Sequence, residues 1–75
     1  MNPANAFGVV LRRIRKDKGM TQESLGFEAD LRRTFVSLLE LGEQQPTITT
    51  IFKLSKALGI KPSKFINEVE KEMGI

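Results

Sequence analysis

The sequence predicts an all-α fold, a bundle of five short helices spread over 75 residues. Two observations carry that prediction. Apolar residues return at steps of three and four, the spacing that lines one face of a helix, as in Phe7, Val10, Leu11 and Ile14 or Phe65, Ile66, Val69 and Met73. Between such runs stand residues that start and stop helices: Thr21 and Thr47, whose hydroxyls can accept first-turn amides, and Gly19, Gly42 and Gly59, which suit the left-handed turn beyond a helix end. A chain this short makes one domain, residues 1–75, with a limited core, so association is an expected source of further stability.

The first helix opens at Asn2-Pro3 or at Asn5, because Asn caps well and Pro at the first helical position lacks only an amide that would have gone unpaired. Phe7, Val10, Leu11 and Ile14 face the core. Arg12, Arg13, Arg15, Lys16 and Lys18 occupy the remaining surface, and Gly19 ends the helix. The second helix runs from Gln22 to Glu28, with Thr21 as cap and Glu23 suited to the positive end of the helix dipole. Gly26 in its interior costs about 1 kcal/mol against Ala, which a close crossing by the next helix would explain. After the polar break Glu28-Ala29-Asp30, the third helix spans about Arg33 to Leu41. Val36 and Leu39 point inward, and Arg33, Thr34, Ser37 and Leu38 point outward.

Gly42 closes the third helix, and Glu43-Gln44-Gln45-Pro46 leads to Thr47, the cap of the fourth. There Ile48, Ile51, Leu54, Ser55 and Leu58 form the buried stripe, Lys53 and Lys56 face out, and Gly59 stops the helix. The fifth begins at Pro62 or Ser63 and ends near Met73. Phe65 and Ile66 suffice for the core, so Val69 and Met73, with Ile60 nearby, continue the apolar stripe as either a two-fold dimer contact or a frayed amphipathic tail.

Gln22, Leu25, the small residue at 26, Leu31, Val36, Leu39, Glu40, Gly42 and Pro46 together carry a resemblance. The stretch of about residues 21–41 resembles the helix-turn-helix of the phage repressor and Cro-like (XRE-type) family, whose fold is a five-helix lambda-repressor-like bundle. The run LRRTFVSLLELGEQQPTI is also similar to the controller proteins of restriction-modification systems. In that subgroup the recognition helix commonly reads Arg-Thr-aromatic-aliphatic-Ser, here Arg33-Thr34-Phe35-Val36-Ser37. The likeness covers roughly residues 7–66, and its force lies in the agreement of spacing, small residue and flanking helices.

The resemblance implies a sequence-specific DNA-binding transcriptional regulator, a homodimer on a palindromic operator with two copies of the third helix in successive major grooves about 34 Å apart. RNA polymerase is then a further partner, excluded from a promoter or engaged beside it. By resemblance, Arg33 and Thr34 are the base readers, Ser37 and Gln22 position the backbone, Leu38 can meet a thymine methyl, and Gln44 and Thr47 lie along phosphates. Arg15 and Glu40 are expected to form a buried structural ion pair. The chain departs from the pattern in three places. Asp30 stands where the family usually has Gly with positive φ, and Asp tolerates that conformation better than most residues. Arg32 replaces a capping Ser, Thr or Asp and sets a cation at the positive end of the dipole. That is unfavourable by several tenths of a kcal/mol, unless a phosphate or guanine acceptor answers it; the alternative is a solvated arginine. Phe35 replaces Tyr, leaving an apolar flank without a phenolic hydroxyl.

Composition narrows the classes. With no Cys and no His, disulfides, thiol nucleophiles and the usual zinc or imidazole sites are excluded, and no enzyme, metal or cofactor is expected. Neither a signal sequence nor a span of about 20 apolar residues is present, so a cytoplasmic protein away from membranes is expected. The net charge of +3 is mild but unevenly placed, at +3 over residues 1–33, +2 over 34–66 and −2 over 67–75. One rival reading stands. Leu31, Phe35, Val36, Leu38, Leu39 and Leu41 nearly encircle the third helix, which would also suit a protein-interaction or antitoxin-like module.

Overall fold

The computed structural model describes residues 1–75. Five helices and no strand make up the chain: α1 (Pro3–Asp17), α2 (Gln22–Ala29), α3 (Arg33–Glu40), α4 (Ile48–Leu58) and α5 (Pro62–Met73). The all-α, five-helix bundle predicted from periodicity is therefore the fold, and the boundaries follow from the caps. Asn2 opens α1 by accepting the Asn5 amide at 2.8 Å, with Pro3 at the first helical position. Thr47 opens α4 by accepting the Thr50 amide at 3.1 Å. Gly19, Gly42 and Gly59 all lie beyond helix ends with φ between +70° and +75°. Two ends differ by one residue from expectation: α2 continues to Ala29, and Leu41 is the cap of α3 rather than its last turn.

Helix α1 packs against α3 and α5, α2 against α3 and α4, and α4 against α5. The core gathers Phe7, Val10 and Leu11 from α1, Leu25 and Ala29 from α2, Val36 and Leu39 from α3, Leu54 and Leu58 from α4, and Phe65 and Val69 from α5. Phe7 and Phe65 stack with ring centroids 4.8 Å apart and planes inclined by 17°, joining α1 to α5. A β-carbon at Gly8 would meet the Leu39 and Glu40 carbonyl oxygens at 2.5 Å. Only glycine lets α1 cross the end of α3 this closely.

Three apolar assignments shift. Ile48, expected in the buried stripe of α4, is 68% exposed, while Thr50 is buried at 8%. The inward row is Thr50, Leu54 and Leu58, at steps of four, and Ile48, two residues before Thr50, sits about 200° round the helix from it. Ile66 is exposed and Val69 is 7% exposed. Phe65 and Val69 share the inward row of α5, so Val69 belongs to the protomer's own core and is not free for the dimer contact assigned to it. Ile60 and Met73 are half-buried and also pack against that core. Arg13 bridges to Glu72 at 2.9 Å and Glu68 at 3.7 Å, fastening the acidic tail to the basic first helix.

Candidate nucleic-acid interface

The segment from Thr21 to Leu41 is built from the inside outward. Thr21 accepts the Ser24 amide at 3.0 Å and donates its own amide to Ser24 Oγ at 2.9 Å. This reciprocal cap satisfies two first-turn amides and leaves those of Gln22 and Glu23 directed off the helix end. The far end of α2 closes through Asp30, at φ 57° and ψ 49°, the left-handed residue expected in the turn. The Leu31 amide then reaches back to the Gly26 carbonyl at 2.8 Å. A β-carbon at Gly26 would lie 2.7 Å from the Leu31 carbonyl oxygen, so the small residue makes room for the returning turn rather than for the body of α3.

Helix α3 starts at once, with Arg32 as its cap and no side chain satisfying its first amides. Arg32, Arg33 and Thr34 are exposed, and neither arginine joins any of the ion pairs in the structure. Two uncompensated guanidinium groups beside open helix amides make this end of α3 a place of positive potential. Arg33 and Gln22 are brought together in an open cleft of about 550 Å³, completed by Arg15, Met20, Thr21 and Glu23. Thr34, Ser37, Leu38, Gln44 and Thr47 are not part of that cleft.

The remaining assigned residues are placed unequally. Ser37 and Leu38 are half-buried, Gln44 is exposed in the α3–α4 connection, and Thr47 is exposed at the start of α4. The Thr47 hydroxyl already accepts the Thr50 amide and lies 3.0 Å from the Thr50 hydroxyl, so it meets a phosphate only by turning its proton outward. Phe35, expected as an apolar flank, is half-buried and packs part of its ring against the core with Leu31, which seats α3.

Arg15 and Glu40 hold the frame under this surface. The Arg15 Nε donates to Glu40 Oε2 at 2.6 Å and Nη2 to Oε1 at 3.0 Å, while Nη1 donates to the Met20 carbonyl at 2.8 Å. Hydrogen bonding to the carboxylate raises the Arg15 pKa against the opposing effect of burial, so the guanidinium is charged at every working pH. The Gln22 Nε2 also donates to Glu40 Oε1 at 3.1 Å. Three segments therefore meet at one carboxylate, α1 through Arg15, the first residue of α2 and the last of α3, and the α1–α2 connection is tied to them through Arg15.

Sequence reasoning missed several participants. Ser24 completes the cap, at the offset where Glu or Gln is the familiar partner. Glu23 places an acid in the same cleft as Arg33. Phe27 is 85% exposed, a fact signalled by its position two residues after Leu25, away from the inward row of α2. No group of three or more carboxylates is gathered for a metal ion, and no helix is long and apolar enough to cross a membrane.

Comparison with known proteins agrees with this architecture. Residues 11–65 match the helix-turn-helix family model HTH_3. Control protein C.BamHI of Bacillus amyloliquefaciens is 44% identical over 62 residues, covering 81% of this chain and 76% of that protein. Control protein C.MunI of a Mycoplasma species is 37% identical over 67 residues, 88% of this chain and 90% of that protein. The crystal structure of the restriction-modification controller protein C.AhdI from Aeromonas hydrophila superposes with a TM-score of 0.81 at 37% identity, covering 83% of this chain and 94% of that one. With the capped α2, the left-handed turn and the bare start of α3 in place, these matches make the chain a member of the helix-turn-helix family, similar to restriction-modification control proteins.

Proposed function

We propose that this protein is a cytoplasmic, sequence-specific DNA-binding regulator of transcription that acts as a homodimer on a palindromic operator, in the manner of controller proteins. It is a binding protein and not an enzyme. The observation that carries the reading is the bare start of α3: Arg32, Arg33 and Thr34 stand exposed, without ion-pair partners, on a turn fixed by Asp30 and Gly26. Arg33 suits the O6 and N7 acceptors of guanine, Thr34 either a base or a phosphate, and Arg32 a phosphate whose charge also answers the uncapped helix end. Gln22 and the free amides of Gln22 and Glu23 suit the neighbouring phosphate backbone.

The second copy is best seated on the α4–α5 face. Ile48, Phe52 and Ile66 are exposed there at 68%, 57% and 39%, and Phe52 lines a cleft of about 410 Å³ with Ile60 and Pro62. Bound beside a promoter, such a dimer meets RNA polymerase as a competitor or as a partner. The rival protein-interaction reading loses support from the packing of α3, since Leu31 and Phe35 are spent on the core and only Leu41 remains widely exposed at 63%.

Selection from a randomised duplex pool tests this reading. An enriched palindrome with half-sites about one helical turn apart, and affinity that falls steeply with salt, is expected. Arg33→Ala should weaken the selected site by about 1–3 kcal/mol and relax one operator position. Failure of the wild-type protein to enrich any sequence would overturn the proposal.

A further inference from the structure

Glu40 lies at the end of α3, its side chain only 4% exposed, and it does more than answer Arg15. Two hydrogen bonds from the guanidinium already complete the ion pair. The third, from Gln22 Nε2 at 3.1 Å, reaches out of the core to a half-buried residue that lines the cleft beside Arg33. A carboxylate only accepts, so the amide of Gln22 must turn its nitrogen inward. One N–H is then committed to Glu40, and the second N–H and the carbonyl oxygen remain for a ligand in the cleft. Arg15 holds the carboxylate, and Met20 holds Arg15, so the orientation of Gln22 is set before any DNA arrives.

We propose that Glu40 is a positioning residue for DNA binding, acting through Gln22: it fixes the Gln22 amide at the start of α2 so that its remaining N–H meets a backbone phosphate without loss of side-chain freedom on binding. This inference rests on the proposed function. Ordering one such side chain in advance is worth roughly three- to tenfold in affinity.

The test combines a double-mutant cycle with a measurement on the free protein. Gln22→Ala and Glu40→Asp, which keeps a negative charge for Arg15 but shortens the reach to Gln22, are titrated singly and together against the selected duplex, with affinities referred to folded protein. Each single change is expected to weaken binding about three- to tenfold, and the double change no more than the weaker single one. Factors that multiply overturn the role, as does a Glu40→Asp variant that melts earlier yet binds with unchanged affinity. In the free protein, the Gln22 side-chain amide protons should exchange more slowly than those of the exposed Gln44 and Gln45, and lose that protection in Glu40→Asp. Equal exchange in the wild-type protein overturns the role whatever the DNA does. If no duplex is selected, the proposed function and the role fall together, and retained protection shows that the tether alone survives.

Discussion

Ser55 is wholly buried on α4 and its hydroxyl finds no hydrogen-bond partner. An unsatisfied buried hydroxyl carries a desolvation penalty, and Ala is the better helix former. Ser55→Ala should therefore be neutral or stabilise the protein by up to about 1 kcal/mol, measured by urea unfolding. A loss of more than about 1 kcal/mol would mean the hydroxyl holds a partner in solution. Ser55 was expected to be buried from its place between Leu54 and Leu58, yet nothing in that spacing tells whether a hydroxyl is satisfied. Asp30 is the opposite case: the family pattern puts a positive-φ residue at that turn position, so its left-handed φ could be read from the resemblance. Arg32 was legible in the same way, as a departure from the capping residue that the family pattern has there.

At the scale of the helices, the crossing of α1 over α3 depends on Gly8. The Leu39 and Glu40 carbonyl oxygens that a β-carbon would strike belong to backbone, which cannot swing aside as a flexible side chain can. Gly8→Ala is expected to destabilise by about 1–3 kcal/mol, seen as an earlier thermal transition. Gly8 carries the same mark as Gly26, a glycine inside a helix, but the periodicity of α1 does not say which helix crosses there.

Ion pairs within α5, Lys64 and Lys71 with Glu68, add a pH dependence. Partial burial pushes the Glu68 pKa up, but Lys71 and Lys64 outweigh it and hold the carboxyl below its ordinary value of 4.5. A depressed carboxyl contributes stability above the unfolded value and loses it as pH falls through the folded value. The difference in melting temperature between wild type and Glu68→Gln should thus shrink from pH 6 toward pH 3 and diminish in high salt. A difference independent of pH would remove electrostatics as the cause. Helix existence and most inward rows were legible from periodicity. The exchange of Ile48 for Thr50 and of Ile66 for Val69 was not, since hydrophobicity alone does not fix which way a short helix is rotated about its axis.

For the molecule as a whole, size limits what one copy can do. The protein measures 32 × 23 × 22 Å with a radius of gyration of 10.9 Å, and it carries one recognition helix. Successive major grooves on one face of DNA lie about 34 Å apart, so reading two half-sites requires two copies. The exposed apolar residues of α4 and α5 offer the face proposed for that pairing, whereas the stripe read from the sequence on α5 is partly consumed by the core at Val69. Phe52 is exposed, so Phe52→Asp should leave the protomer folded while placing a charge in the contact. Sedimentation should then show a monomer, against the dimer expected of the wild-type protein under the proposed function. Affinity for a full palindrome should fall at least tenfold, toward that of a half-site, because the second half-site no longer gains from the effective concentration of a linked copy. The salt dependence should flatten by about half, since each bound unit then neutralises half as many phosphates. A variant that stays dimeric would move the pairing face elsewhere. One that becomes monomeric yet keeps full affinity and an unchanged salt slope would mean that the α4–α5 contact serves stability and not the spacing of the two reading helices.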